Sequence, residues 1–105
     1  QVLIKVNRNP KIEVANVFAP GSETNGLFYI QQTRGIEMVL SMSIFDKWAS
    51  RIFLSENTFP GDLSAAWDGT YKGNYVNPGV YVVVAELLLY SGEIVTYAGD
   101  ITVLR

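Results

Sequence analysis

Apolar residues along this chain recur with a period of two, and Gly, Pro, Asn, Asp and Ser interrupt them roughly every dozen residues. A period of two is typical of strands, because successive side chains of an extended chain point to opposite faces. There is little pattern of helical spacing. The sequence therefore predicts a short extended piece around Trp67 and seven strands, at residues 2–6, 11–17, 26–32, 36–45, 50–55, 79–90 and 93–104.

Two of these strands indicate how a sheet would be arranged. Residues 80–90 are apolar on both faces, which favours a central strand. Residues 36–45 predict an antiparallel strand with one packed face, Ile36, Met38, Leu40, Met42 and Ile44, and one wet face, Glu37, Ser41 and Ser43. Gly99 interrupts the last strand and predicts a bulge or a close backbone approach there.

Seven short strands in 105 residues, without helical spacers, predict one all-β domain, an antiparallel β-sandwich. A small barrel is the alternative. The 49% hydrophobic content is enough for a single core. We assign residues 11–105 to the sandwich and residues 1–10 to a linker or to the last strand of a preceding domain, because turn-forming residues follow the first apolar stretch.

Composition excludes several functions. The net charge of −2 comes without runs of like charge, so neither nucleic acid nor an anionic membrane is an expected partner. Without Cys there is no disulfide or thiolate metal site. The longest apolar run contains Glu86 and is too short to cross a bilayer. Because the chain begins at Gln1 rather than Met, we expect it to be a piece of a longer protein, with room for a signal peptide upstream.

No catalytic, cofactor or metal site is expected. A serine nucleophile would lack a His base, and neither Lys47 nor Lys72 is marked as a buried substitute. Glu23 and Asp62 are the plausible Ca²⁺ ligands, but the alternating acids of a calcium loop are missing. A glycosidase would need two facing carboxylates from the available set, Asp62, Asp68, Glu86 and Asp100.

The aromatic residues allow two interpretations. Flat rings with polar edges stack on sugars, so they could form a carbohydrate platform. The interpretation we favour is that the tryptophans fill the core and the tyrosines cap strand ends. The residues concerned are Trp48, Trp67, Tyr71, Tyr75 and Tyr81.

The stretch WDGTYKGNYVNPGVY, residues 67–81, predicts tight bends rather than a binding loop. Asp68-Gly69 is a hairpin dipeptide, and Asn74, next to Gly73, tolerates left-handed geometry. Pro78-Gly79 suits a type II turn that delivers Tyr81 onto the long strand.

Four motifs occur in order: VANVFAPGSETNGLF at residues 14–28, IFDKWASRIF at 44–53, WDGTYKGNYVNPGVY at 67–81, and the closing AGDITVLR. Together they resemble the type B C-terminal sorting domain of the type IX secretion system of Bacteroidetes, the gliding motility-associated kind, over residues 11–105. The motif residues are Asn16, Phe18, Pro20, Phe45, Trp48, Trp67, Asp68, Gly69, Gly73, Pro78, Gly79, Tyr81, Gly99 and Arg105.

Two departures from the family pattern are visible. The acidic, glycine-rich opening loop is reduced to GSETNG, which removes support for a bound cation, and Ala49 replaces the Gly that follows Trp48. The resemblance implies an immunoglobulin-like, non-catalytic sandwich that ends at Arg105 and is read by the outer-membrane type IX machinery. It further implies export of upstream cargo through the periplasm to the cell surface or medium.

We expect the surface that is read to include the final strand and the turns around Asp68 and Pro78. Two other interpretations of the chain remain open. One is a carbohydrate-binding or adhesive module that uses the aromatic residues, and the other is a structural spacer between domains of a surface protein.

Overall fold

The computed structural model describes residues 17–22, 26–31 and 35–104. Within them the chain is almost entirely β structure, and no helix is long and apolar enough to span a membrane. A single 3-10 turn covers Leu63–Ala65. The strands are β1 (Val17–Phe18), β2 (Ile36–Phe45), β3 (Arg51–Thr58), β4 (Thr70–Tyr71), β5 (Asn74–Tyr75), β6 (Gly79–Leu89) and β7 (Ile94–Val103).

Five of these strands form one sheet in the order β1-β7-β6-β2-β3, and β4 and β5 form a separate two-stranded ribbon. The long strand β6 lies at the centre of the sheet, as its two apolar faces predict. It pairs with β7 from Gly79 opposite Val103 to Leu88 opposite Ile94, without a register shift. The predicted all-β sandwich fold is confirmed.

The core lies on one face of this sheet. β6 alternates along its length, with Val83, Ala85 and Leu87 fully buried and the residues between them more exposed. Phe18, Phe28, Ile30 and Trp67, from the chain segments outside the four long strands, belong to the same buried cluster. Burying one such side chain completely stabilises the fold by about 1.5–3 kcal/mol, so this layer supplies much of the folding free energy.

The predicted alternation of β2 is wrong at its centre. Its pairing with β6 shifts between Ile36 and Met38 and again between Val39 and Ser41. These irregularities turn Val39 into the core in place of Met38 and Leu40, which are only half-buried. Each extra residue in a bulge reverses the faces that follow it, which strict alternation cannot anticipate.

Two other strand predictions need correction. The strand predicted at residues 26–32 is, within the described residues, a single antiparallel bridge between Phe28 and Trp67, which confirms the extended piece predicted at Trp67. β1 runs parallel to β7, with Phe18 opposite Val103, so the sheet is mixed rather than antiparallel throughout. Residues 1–16 lie outside the described residues, so the assignment of residues 1–10 stays a prediction.

Gly99 is not at a bulge. The β6–β7 register continues through it, opposite Val83. The Tyr97 ring packs over it, so that a Cβ on Gly99 would lie 2.6 Å from the Tyr97 hydroxyl and this side chain would have to turn aside. Gly99 thus leaves room for a neighbouring aromatic ring on the same strand, which is a way sheets compensate for glycine.

The turn between β2 and β3 contains a strained residue. Ala49 has a φ of 66°, which is left-handed, and it stands where the resembling family has Gly. An alanine in this region costs about 1–2 kcal/mol relative to its preferred conformations, and glycine avoids most of that cost.

We therefore expect Ala49→Gly to raise the free energy of unfolding by about 1 kcal/mol, measured by urea denaturation. Ala98→Gly is the matched control, because Ala98 is exposed on β7 in an ordinary strand conformation and should lose stability. Destabilisation of both variants alike would show that the Ala49 conformation carries no strain.

Candidate functional site

Trp67 is the point at which segments from the four sequence motifs meet. Its side chain is 1% exposed. The ring of Phe18 lies 5.3 Å away between centroids, that of Tyr81 6.0 Å and that of Phe53 6.4 Å. Phe18 is in turn held at the end of β7, where its carbonyl accepts a hydrogen bond of 2.8 Å from the amide of Leu104. The ordered motifs are therefore one packed cluster in space.

Gly69 allows the first motif to approach the third. It is buried and has a φ of +87°. A Cβ at this position would lie 2.5 and 2.7 Å from the Cγ and Cβ of Pro20, and 3.3 Å from the Cζ of Phe18. Only glycine satisfies both the backbone conformation and the space, which gives Phe18, Pro20 and Gly69 a shared structural role.

The polar atoms beside Trp67 serve the loop itself. The indole Nε1 donates to the carbonyl of Thr70 at 3.0 Å. The carboxylate of Asp68 accepts from the amide of Thr70 at 3.1 Å and from its hydroxyl at 2.6 Å. Asp68 therefore holds the turn that leads into β4, as Asp does in Asx turns.

The bends that follow differ in place from those predicted. The φ of Gly69 is positive as expected, but the hairpin is centred on Lys72 and Gly73, whose φ values are 54° and 86°. Two central residues of positive φ define a type I′ turn, here between β4 and β5. The left-handed conformation expected at Asn74 is wrong, since this residue pairs with Tyr71 in β5.

Pro78 and Gly79 lead into β6 as predicted, but the predicted type II turn is wrong, because the φ of 147° at Gly79 is far from the roughly 80° that this turn requires. Tyr81 points inward, with 9% of its side chain exposed, and its hydroxyl donates to the carbonyl of Asn77 at 2.7 Å. Burial raises the pKa of this hydroxyl above 10.0, and the negative charge of Asp46 raises it further. Both effects disfavour the tyrosinate.

Trp48 contradicts the expectation that both tryptophans fill the core. It lies in the turn between β2 and β3 and is 75% exposed, with the ammonium of Lys47 4.8 Å from its ring centroid. The signal that sequence reasoning missed is Asp46, which accepts hydrogen bonds of 2.9 Å from the amides of both Trp48 and Ser50. Asp46 thus closes the turn between β2 and β3, and the Trp48 ring lies on this turn outside the core.

The proposed carbohydrate platform does not form as one surface of five rings. Trp67 and Tyr81 are buried, whereas Trp48, Tyr71 and Tyr75 are exposed. Tyr75 is also drawn toward the first motif, since its hydroxyl would lie 3.4 Å from a Cβ placed on Gly21.

The candidate carboxylates do not form a cluster. Asp62 accepts hydrogen bonds from the amide and hydroxyl of Ser64 and thus caps the 3-10 turn. Glu86 and Asp100 lie opposite Thr96 and Val82 in the register, several residues apart along the sheet. Within residues 17–22, 26–31 and 35–104, no three acidic side chains are grouped as a metal site would require. Glu23 lies outside the described residues.

Phe45 ends β2 opposite Val82 and is half-buried. Asn16 and Arg105 lie outside the described residues, so their roles stay predictions. Sequence reasoning gave little weight to Phe53, whose ring lies 6.4 Å from that of Trp67, although it is the last residue of the second motif.

We expect Gly69→Ala to destabilise the protein far more than Gly73→Ala. Both glycines have nearly the same left-handed φ, so both variants incur about 1–2 kcal/mol of backbone strain. Only Gly69 meets other atoms, since a Cβ on Gly73 has nothing within 4 Å, and overpacking should add about 1–3 kcal/mol. Urea unfolding followed by circular dichroism measures the difference. Equal losses would show that Pro20 moves aside freely.

Tyr81 should make the protein sensitive to alkali. Folding raises the pKa of the Tyr81 hydroxyl above the value of 10.0 that applies to the unfolded chain. The contribution of this hydroxyl to the free energy of unfolding is therefore complete below pH 10.0 and is lost as the pH rises through the raised pKa. Tyr81→Phe loses the hydrogen bond to Asn77 at neutral pH, about 0.5–1.5 kcal/mol, but should lose less additional stability between pH 9 and 11.

Urea midpoints measured across that pH range test this expectation. Tyr90→Phe is the control, since Tyr90 is 71% exposed, and it should follow the wild-type pH dependence. A Tyr81→Phe protein with an unchanged alkaline loss would contradict the role given to this hydroxyl.

A comparison with solved structures found a likeness to the crystal structure of CopC from Methylosinus trichosporium OB3b, with a TM-score of 0.55. The sequences are 20% identical over 87% of this chain and 84% of that one. At this identity the likeness concerns the fold alone. A comparison with curated proteins found no significant match.

A comparison with protein families matched residues 12–103 to the CHU_C type IX secretion signal domain. The match spans the Trp67 cluster and the exposed turn at Trp48, and it agrees with the resemblance carried by the four motifs. A type IX secretion signal implies export to the cell surface or the extracellular space and interaction with the secretion machinery. The chain belongs to the CHU_C type IX secretion signal domain family.

Proposed function

We propose that this domain directs an upstream cargo protein across the outer membrane, passing through the periplasm, to the cell surface or the medium. The observation that carries the proposal is the family match over residues 12–103. The packing supports it, since the motif residues Phe18, Gly69 and Trp67 build the fold rather than a pocket. Such a domain acts by presenting a folded surface to be recognised.

The proposed partners are the outer-membrane type IX machinery and the cargo domains of the same chain. The cargo's activity would reside upstream, and the domain itself would be non-catalytic. This interpretation rests on the absence of His and Cys from the sequence and on the structural use of Asp62 and Asp68 in local turns.

A carbohydrate-binding or adhesive module is the second candidate, and the observation that favours it is the exposure of Trp48, Tyr71 and Tyr75. Exposed rings with nearby cations can stack on saccharides. Titration of the domain with surface glycans, with Trp48→Ala as the comparison, distinguishes this function from sorting. The third candidate, a structural spacer, predicts neither glycan binding nor export.

Sorting is tested by fusing residues 1–105 to the C-terminus of a reporter that carries a periplasmic signal peptide. In a cell with a working type IX system, we expect the reporter in the medium or on the surface. The same fusion in a strain without that system should stay in the periplasm, as should the reporter alone. Periplasmic retention of a folded fusion in the competent strain would contradict the proposal.

A further inference from the structure

The turn between β2 and β3 has the features of a protein-docking anchor. We propose that Trp48 inserts into an apolar pocket on a protein of the secretion machinery. Lys47 and Arg51 pair with carboxylates at the rim of that pocket. This inference rests on the sorting function proposed above. The partner is thus defined by its chemistry: a folded protein surface with an apolar pocket surrounded by acidic side chains.

Trp48 has no structural use that accounts for it. Three-quarters of its surface is exposed, whereas Trp67 is wholly buried and anchors the core. A Trp exposed to this extent contributes little to the folding free energy through burial, yet it offers a large apolar area to a partner. Trp and Arg are among the residues most enriched at the energetic centres of protein interfaces, and this turn supplies both.

The turn is held in shape before any partner arrives. The Oδ1 of Asp46 accepts from the amides of Trp48 and Ser50, the carbonyl of Asp46 accepts from Ala49 at 3.0 Å, and its amide donates to Ser50 at 3.0 Å. Four hydrogen bonds on one residue order the backbone on both sides of Trp48. A ring presented on an ordered turn loses less conformational entropy on binding.

The charge of the turn indicates an acidic partner. Residues 46–51 contain two cations and one carboxylate, so they carry a net charge of +1 on a chain whose net charge is −2. The carboxylate of Asp46 is occupied by backbone amides, while the ammonium of Lys47 lies against the exposed Trp48 ring. A basic, aromatic tip on an acidic domain is complementary to an apolar pocket with an acidic rim.

The exposed face of the sheet continues this surface. Phe45 precedes the turn and pairs with Arg51 on one side and Val82 on the other. Val80 and Val82 follow on the same face of β6 and are 56% and 37% exposed. Exposed apolar side chains therefore lie on the strands that flank the Trp48 turn, at the end of the sheet opposite to Tyr90.

The rate of export of the reporter fusion tests the proposal by pulse-chase. We expect Trp48→Ala to slow export at least about tenfold, as loss of a central interface Trp does. The double variant Lys47→Glu/Arg51→Glu should slow it similarly, whereas Lys47→Arg/Arg51→Lys should stay within about twofold of wild type. Tyr90→Ala is the matched control, a similarly exposed ring on the hairpin at the opposite end, and should export normally.

Folding is monitored in parallel. Because these side chains lie at the surface, the thermal midpoints should change by no more than about 2–4 °C. If Trp48→Ala alone lowers the thermal midpoint by more than this, the test is the export rate of Lys47→Glu/Arg51→Glu compared with that of Lys47→Arg/Arg51→Lys. Slower export of the charge-reversed pair supports the proposal, and equal rates overturn it.

The outcomes separate the two proposals. A wild-type fusion that is not exported overturns the sorting function and this inference with it. Normal export of wild type and Trp48→Ala overturns the anchor alone, and normal export of the charge-reversed pair overturns the acidic rim. Equal slowing by Tyr90→Ala overturns the placement at this turn. If the purified domain binds a glycan and Trp48→Ala abolishes this binding, the partner of the Trp48 turn is a saccharide rather than a protein, which overturns the inference.

Discussion

The packing of Trp67 is the interaction on which the rest of the structure depends. Its ring joins Phe18, which β7 holds in place, to Phe53 on β3 and Tyr81 on β6. Its backbone also forms the bridge to Phe28, with two hydrogen bonds of 2.8 Å. Because the sheet supplies only one buried face, this layer is what closes the core on the opposite side.

That closure depends on close approach at Gly69. The side chain of Pro20 occupies the space that any Cβ there would need. Gly69, with its left-handed φ, directly follows Asp68, whose carboxylate accepts hydrogen bonds within the next turn. The motif of residues 67–69 therefore provides a buried ring, a turn, and a position without a side chain against which another segment packs. Folding therefore accounts for the residue types at these three positions.

The aromatic motif residues divide into buried ones, which packing explains, and an exposed one. Trp67 and Tyr81 are buried and hydrogen-bonded, while Trp48 is part of a motif but lies in solvent on a turn organised by Asp46. Packing explains the first two and leaves the third unexplained. In a domain of a secretion-signal family, we infer that this ordered, exposed Trp, with the Lys47 ammonium against its ring, is part of what the machinery reads.

The sequence by itself determined the four long strands and the all-β class, because alternation and turn residues are local properties that each segment carries alone. It also determined β6 as the central strand and the positive φ at Gly69. The tertiary structure alone decided that Val39 replaces Met38 and Leu40 in the core, that β1 runs parallel to β7, and that Trp48 faces solvent. These outcomes depend on bulges, on pairing between strands that are distant in sequence, and on which of the two tryptophans packs in the core. None of these can be predicted from a single segment of the chain.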